Sequence, residues 1–325
     1  MSDNTESNPI ILPNEAQDQS DTESVEESAP AEEEQELIIL DPEAIDIDLN
    51  HGKIGKIENL ENLRNVETIS LRWNLIKKIE NLSALTTLKE LELYDNQISK
   101  LENLDCLVNL EILDVSHNNL RKLEGLENLT QLKRLFLVSN KIKVIENLSA
   151  LRNLEVLELG DNRIRVIENL DDLVNLQQLF LGKNKIKELG NMNKLVNLKT
   201  LSIQSNRITK IENLEALTML DDLYLSHNGI KCIEGLEGNE QLTTLDMAGN
   251  SIEKLDNLDQ LKMIEEFWFN DNRISDWKEI KKIEHMKNLA TVYLERNPIE
   301  KSPDYRRKLK LALPSLTQID ATLCR

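Results

Sequence analysis

Metal or nucleophilic chemistry in this 325-residue chain would have to come from four histidines and three cysteines. A catalytic metal needs several such ligands converging on one point, and a nucleophile needs a base within hydrogen-bond reach. Cys106, Cys232 and Cys324 stand at unrelated spacings, with no C-x-x-C. His117 and His227 occupy the same point of an internal period, five periods apart, which places them about 24 Å from each other at a strand spacing near 4.8 Å. No H-E-x-x-H, G-x-S-x-G or glycine-rich phosphate loop is present. The expectation is a chain with no catalytic residue, no cofactor and no metal. An odd cysteine count without ligand spacing predicts reduced thiols in a cytosolic or nuclear protein. The acidic N-terminus has neither the basic nor the apolar region of a signal peptide, and no apolar run approaches the roughly 18 residues of a membrane span. A soluble intracellular protein is expected.

The other residues with functional character are aromatics and carboxylates, and their placement depends on the repeat that carries them. From Leu110 onward the chain reads Leu-x-x-Leu-x-Leu-x-x-Asn-x-Leu, then a leucine or isoleucine three residues on, then Leu-x-x-Leu, and begins again. The asparagines fall at 74, 96, 118, 140, 162, 184, 206, 228, 250 and 272, every interval being 22 residues. Asn50 and Asn297 extend the series to about twelve copies. This period is that of a leucine-rich repeat. The fold class it predicts is an α/β solenoid: a curved horseshoe with a parallel concave β-sheet and short 3₁₀ or helical convex returns, closed by a C-terminal helical cap.

Two columns explain themselves structurally. The repeated asparagine sits where the strand turns inward, and its amide can both donate to and accept from backbone groups there. Seven residues later only Asn or Gly occurs: Asn81, Asn103, Gly125, Asn147, Asn169, Asn191, Asn213, Gly235 and Asn257. These types tolerate positive φ best, so a left-handed turn is expected.

The organisation follows. Residues 1–52 carry sixteen Asp and Glu and no Lys or Arg, which leaves forty-two acids against thirty-nine bases in the rest. Residues 1–36 are expected to be a disordered acidic tail. Residues 37–297 form the array and 298–325 the cap. In the cap, Ser302 followed by Pro303 predicts a helix start, with Tyr305, Leu309 and Leu313 on one face and Pro314 at its end. The basic run from Arg306 to Lys310 is expected on the solvated side. Asn239 stands in place of a core leucine and is expected to loosen its return.

Four residues before each asparagine, one side chain projects from the middle of the concave sheet. Counted this way, the series is Asp46, Ser70, Glu92, Asp114, Phe136, Glu158, Phe180, Ser202, Tyr224, Asp246, Trp268 and Tyr293. It holds five of the chain's eleven aromatics, five carboxylates and no base. Neighbouring columns add Trp73, Tyr94, Glu90, Asp222 and Glu266. Aromatic anchors edged by carboxylates suit a protein partner bearing Lys or Arg, whereas such a face repels nucleic-acid phosphates. Phe267 and Phe269 fall on core positions instead, and Trp277 is expected in the convex-side core.

With the 22-residue cell, "IENL" returns, an acidic N-terminus and a cap ending "LPSLTQIDA", residues 37–325 resemble the regulatory subunit 7 family of protein phosphatase 1. The resemblance implies a non-catalytic regulator whose concave face binds the phosphatase catalytic subunit. Its matching positions here are Asp114, Phe136, Glu158, Phe180, Asp246, Glu266, Trp268 and Tyr293, to which the column itself adds Tyr224. It further implies a monomer before complex formation, a ternary complex with a small inhibitor protein, a role in mitosis, and residence in nucleus and cytoplasm. The repeat and cap are shared with leucine-rich adaptor subunits of ribonucleoproteins, which hold a helix of a partner protein, so that alternative stays open.

Overall fold

The computed structural model describes residues 10–11, 37–38 and 40–324. Twelve three-residue strands, from Asp46–Asp48 to Thr291–Tyr293, lie side by side in chain order, and Gln318–Ile319 continues them in parallel. Thr322–Leu323 turns back antiparallel and ends the fourteen-stranded sheet. Such an order arises because each cell contributes one strand and one return, so consecutive cells can meet only through neighbouring strands. The central residue of every strand points inward: Leu113, Leu135, Leu157, Leu179, Leu201 and Leu223 are fully buried. With the buried residues of the returns they form one continuous hydrophobic core. Phe267 and Phe269 belong to it, stacked at 3.9 Å.

Most returns are shorter than a 3₁₀ helix. Each carries i→i+3 backbone bonds, as from Leu63 N–H to Leu60 O at 3.1 Å and from Leu85 N–H to Leu82 O at 3.0 Å. The longer penultimate cell has room for a helix, Trp277–Lys281, whose first turn is capped by Asp276 accepting from Lys278 N–H. Trp277 is half-buried rather than core, meeting Tyr305 at 6.3 Å with the Lys308 ammonium 5.1 Å above its ring.

The asparagine column is a ladder. Asn162 accepts from Ile142 N–H at 3.0 Å and donates to Leu137 O, Leu159 O and Gly160 O at 2.9–3.1 Å. The same pattern runs from Asn74 to Asn297. Asn50 does not belong to it. The first strand pairs with the second at an offset of 22, Asp48 opposite Ser70, so the ladder position in the first cell is Gly52. Asn50 instead accepts from Arg72 N–H and the Ser70 hydroxyl. The outward position taken as Asp46 is therefore Asp48.

The left-handed column is as expected, with φ between 56° and 69°, and Asn59 joins it. Each asparagine there from Asn81 onward also donates to a carbonyl 24 residues back, as Asn169 does to Ile145 O at 2.6 Å. Gly125 and Gly235 take the slot without that bond. A second left-handed column was not expected: Trp73, Asp95, His117, Ser139, Asp161, Lys183, Ser205 and others just before the ladder asparagines have φ of 51–57°. Their side chains share no type, so nothing in composition marks them.

Three further expectations need correction. The cap helix is Tyr305–Ala312; Asp304 precedes it in the left-handed region, with no side-chain cap, so Ser302–Pro303 is not its start. Ser302 ends the 3₁₀ turn Pro298–Lys301 instead. The basic run is not simply solvated: Arg306 donates to Ile319 O and Thr322 O, and Lys310 to Pro314 O and Leu316 O. Tyr305, Leu309 and Leu313 are buried over the last cell, as their spacing predicts. Within the acidic tail, Ile10–Ile11 pairs antiparallel with Leu37–Ile38, so the tail is not wholly disordered; the remainder of 1–36 lies outside the described residues.

Asn239 is fully buried and tied in, donating to Leu214 O at 3.1 Å and Leu217 O at 2.9 Å, while its Oδ1 has no partner among the described residues. Both carbonyls already receive backbone N–H groups. Asn239→Leu should therefore raise stability by about 1 kcal/mol in a denaturant titration, by removing an unsatisfied buried acceptor. An equal loss would mean that the two amide bonds outweigh the orphaned oxygen. Asn162→Ala should cost about 1–3 kcal/mol in the same titration, because it strips partners from buried backbone groups; a change within error would refute the ladder as a source of stability.

Candidate functional site on the concave face

Strand pairing fixes the outward column. Asp114, Phe136, Glu158 and Phe180 lie directly opposite one another in register, and so do Tyr224, Asp246, Trp268 and Tyr293. Between the two runs stands Ser202, buried and hydrogen-bonded to Gln204. The column thus contains the order aromatic–carboxylate–aromatic twice, Phe136–Glu158–Phe180 and Tyr224–Asp246–Trp268, at successive strand spacings of about 4.8 Å. Glu266 lies two residues before Trp268 on the same face, opposite Thr244 and Thr291.

The flanking rings change the carboxylates. Burial, reinforced by the Asp114 charge, pushes the Glu158 carboxyl above its ordinary value. Asp246 is only 4% exposed, and burial pushes it up as well, against hydrogen bonds from the Ser226 hydroxyl and Ala248 N–H and against the pull of His227. Tyr224 is raised by burial and by the Asp222, Glu266 and Asp246 carboxylates around it. None of these acids is in an ion pair among the described residues. Only at the N-terminal end is a column acid neutralised: Glu92 meets Arg72 and accepts from the Ser70 hydroxyl.

Of the nine candidate residues, eight are half-buried and Asp246 is buried. Trp268 does not stand free in water. Its ring meets Tyr293 edge-on at 5.7 Å, and its indole N–H is shielded from solvent without an acceptor among the described residues. The aspartates also have a structural task that the sequence reading missed. Asp48, Asp114 and Asp246 each accept from the N–H two residues on, at 2.9–3.0 Å, closing the corner after the strand. Glu92 and Glu158, one methylene longer, make no such bond among the described residues. Trp73 and Tyr94 stand apart from the series, in a row of rings along the N-terminal rim: His51 stacks on Trp73 at 4.4 Å, Trp73 meets Tyr94 at 5.6 Å, and Tyr94 meets His117 at 4.7 Å.

Chemically the face offers charge and area, not reaction. Among the described residues no group of three or more His, Cys, Asp or Glu is placed to hold a metal ion, and the three thiols are unpaired. Among the described residues no helix is long and apolar enough to cross a membrane.

Comparison with known proteins agrees with the fold. Family models described as leucine-rich repeat match residues 200–323 and 130–186, and one described as two copies of the repeat matches 86–128 and 174–216. Among solved structures, an internalin (inlF) of Listeria monocytogenes superposes with a TM-score of 0.68 at 23% identity, covering 89% of this chain and 87% of its own. A leucine-rich-repeat protein of Leptospira interrogans gives 0.66 at 26% identity, over 80% and 74%. Among curated proteins, protein phosphatase 1 regulatory subunit 7 of Danio rerio is 57% identical over 49 residues, and that of Homo sapiens 56% over 52 residues. These matches are local, covering 15–16% of this chain and 14% of each relative. The chain belongs to the leucine-rich-repeat proteins, and the curated proteins that it matches locally are regulatory subunits of protein phosphatase 1, the family that its sequence resembles.

Proposed function

We propose that this chain is a non-catalytic regulatory subunit that binds the catalytic subunit of protein phosphatase 1 through its concave face and controls its assembly, localisation or activity, including in mitosis. The names of the relatives supply the partner, since they are regulatory subunits of that phosphatase. The observation that carries the surface is the doubled aromatic–carboxylate–aromatic order, with Glu158 and Asp246 desolvated and without a cation. A Lys or Arg of the partner fits each position, its stem or guanidinium against the rings and its charge on the acid. The same proposal includes a ternary complex with a small inhibitor protein, and a regulator that is monomeric before the complex forms. Nucleus and cytoplasm are its proposed location.

Capture of the phosphatase catalytic subunit by the purified chain tests this reading. Trp268→Ala removes the ring that Asp246 and Tyr293 share and should weaken capture by more than 2 kcal/mol, about thirtyfold, as loss of an aromatic anchor does. Trp73→Ala, at the other end and outside the series, should capture normally. Equal loss in both, or none in Trp268→Ala while the variant remains folded, would remove the concave face from the reading. Recovery of a small RNA-binding protein in place of the phosphatase would favour the ribonucleoprotein alternative.

The pH dependence of stability gives a second check. A carboxyl raised on folding binds its proton more tightly in the folded state, so its penalty is absent below the ordinary value of 3.8 and grows as pH rises through the shifted value. Asp246→Asn keeps the oxygen that accepts from Ala248 N–H and removes the charge. Its melting temperature should exceed that of the parent at neutral pH, and the gap should close on acidification below that ordinary value. A gap that stays constant with pH would show that Asp246 ionises freely, as it would in water.

A further inference from the structure

The near-neutral charge of the array conceals a concentrated basic stripe. One residue beyond the ladder asparagine, four consecutive cells carry Lys141, Arg163, Lys185 and Arg207, where the preceding cells have Leu75, Gln97 and Asn119 and the following ones Gly229 and Ser251. Two residues further on, the adjacent column reads Arg121, Lys143, Arg165 and Lys187, again in four consecutive cells. The residue between the two columns is buried in every cell, for example Ile142, Ile164 and Ile186, so the cations on either side of it both face outward. Backbone bonds lock the stack: Lys141, Arg163, Lys185 and Arg207 N–H groups each reach the preceding cell at 2.8 Å.

None of these eight cations forms an ion pair among the described residues. Lys141 alone has a side-chain partner, the neutral Asn119 Oδ1. Elsewhere on the returns, lysines are matched, as in Lys56–Glu58, Lys100–Glu102 and Lys210–Glu212. In this block the matched lysine is replaced by the exposed Val144 and Val166 and by Glu188. Where neighbouring cells have a glutamate, Gly190 opens a depression of about 400 Å³ in whose lining three cations, Arg165, Lys185 and Lys187, outnumber one acid, Glu188, beside Val166. Like charges stacked at strand spacing repel one another, so the fold gains nothing from this arrangement.

The geometry points to a docking strip for an extended acidic segment of a partner protein, Asp- and Glu-rich with an apolar residue for Val144 and Val166. Charge complementarity selects an anion, and the shape selects a polypeptide. The strip is two side chains wide, and Glu124, Glu146 and Glu168 follow on the same returns, so a duplex would overlie like charge. It has no ring on which a single-stranded base could stack. It involves other residues than the concave series and does not rest on the phosphatase reading.

The test uses the full chain and a fluorescein-labelled peptide in which Glu alternates with Ser around a central Leu, with an oligothymidylate as the competing polyanion. Peptide anisotropy should report binding that weakens as salt rises. Arg165→Glu combined with Lys187→Glu should reduce it by on the order of tenfold or more, while Lys56→Glu combined with Lys100→Glu, in cells outside the strip, should not. The strip variant should melt at or above the parent temperature, since it relieves repulsion, and should still capture whatever the concave face captures. No peptide binding, or tighter binding of the oligothymidylate lost through the same substitutions, overturns the proposal. So does zero-length crosslinking of Lys143 or Lys187 to carboxylates of residues 1–36 in the chain alone, which would give the strip to the chain's own acidic end.

Discussion

The array depends on one side-chain amide per cell. A strand that bends into its own core leaves a backbone N–H and several carbonyls facing inward, where each unpaired group costs about 1–3 kcal/mol. Within a single cell only the carbonyls two and three residues before its own asparagine are served, as Gly160 O and Leu159 O are by Asn162. The asparagine of the following cell reaches further groups, its oxygen taking the N–H 20 residues back and its nitrogen serving the carbonyl 25 residues back, as with Asn162, Ile142 and Leu137. Each cell is thus finished by its successor. At the C-terminal end the cap supplies a different bond: Asp320 accepts from Leu294 N–H and Glu295 N–H, donors just past the last full strand whose equivalents in earlier cells reach a neighbouring strand's carbonyl, as Leu71 N–H reaches Glu92 O.

The ladder also fixes what the surface can be. It binds the corner after every strand to the same depth, so strands cannot slip and outward residues stack in straight columns. Such a surface carries a function as a pattern along the array, not as a pocket. Two patterns are written on it: aromatics alternating with carboxylates on the concave side, and unpaired cations on the returns of the middle cells. They use different columns of the same cells, so one array can present opposite charges to different partners.

The period, the inward leucines and the left-handed Asn/Gly column were legible because each demands a residue type. The phase of the first cell was not. Counting from Asn50 follows residue identity, whereas pairing follows the strand, and Ile47 opposite Ile69 makes Asp48 the outward residue. The second left-handed column was invisible because its backbone is held by neighbours on both sides and accepts His, Trp, Asp, Ser, Lys and Arg alike. Spacing set eight of the nine candidate residues in one outward column, all but Glu266, and strand pairing does the same, yet spacing could not tell that Asp246 is buried. Glu158 also stands between two rings and is only half-buried; Asp246 is the shorter acid, held in by Ala248 N–H with Ser226 and His227 beside it, and a column position encodes none of these neighbours.

Those flanking rings decide what the carboxylates are worth. A fully hydrated acid on a sheet surface contributes about 0–1 kcal/mol to an ion pair, because water screens it and side-chain freedom is lost in forming it. Placed between rings, Glu158 and Asp246 ionise less readily in the free protein, as their raised pKa directions show. The same loss of solvent strengthens their attraction for a cation that arrives with its own partner surface and excludes what water remains. In the proposed complex the aromatics of the concave face therefore act twice, as contact area and as the medium that sets the strength of the charges between them. Replacing a ring should weaken recognition through the neighbouring acid as well as through its own lost contacts, so ring and carboxylate are coupled and their effects are not additive.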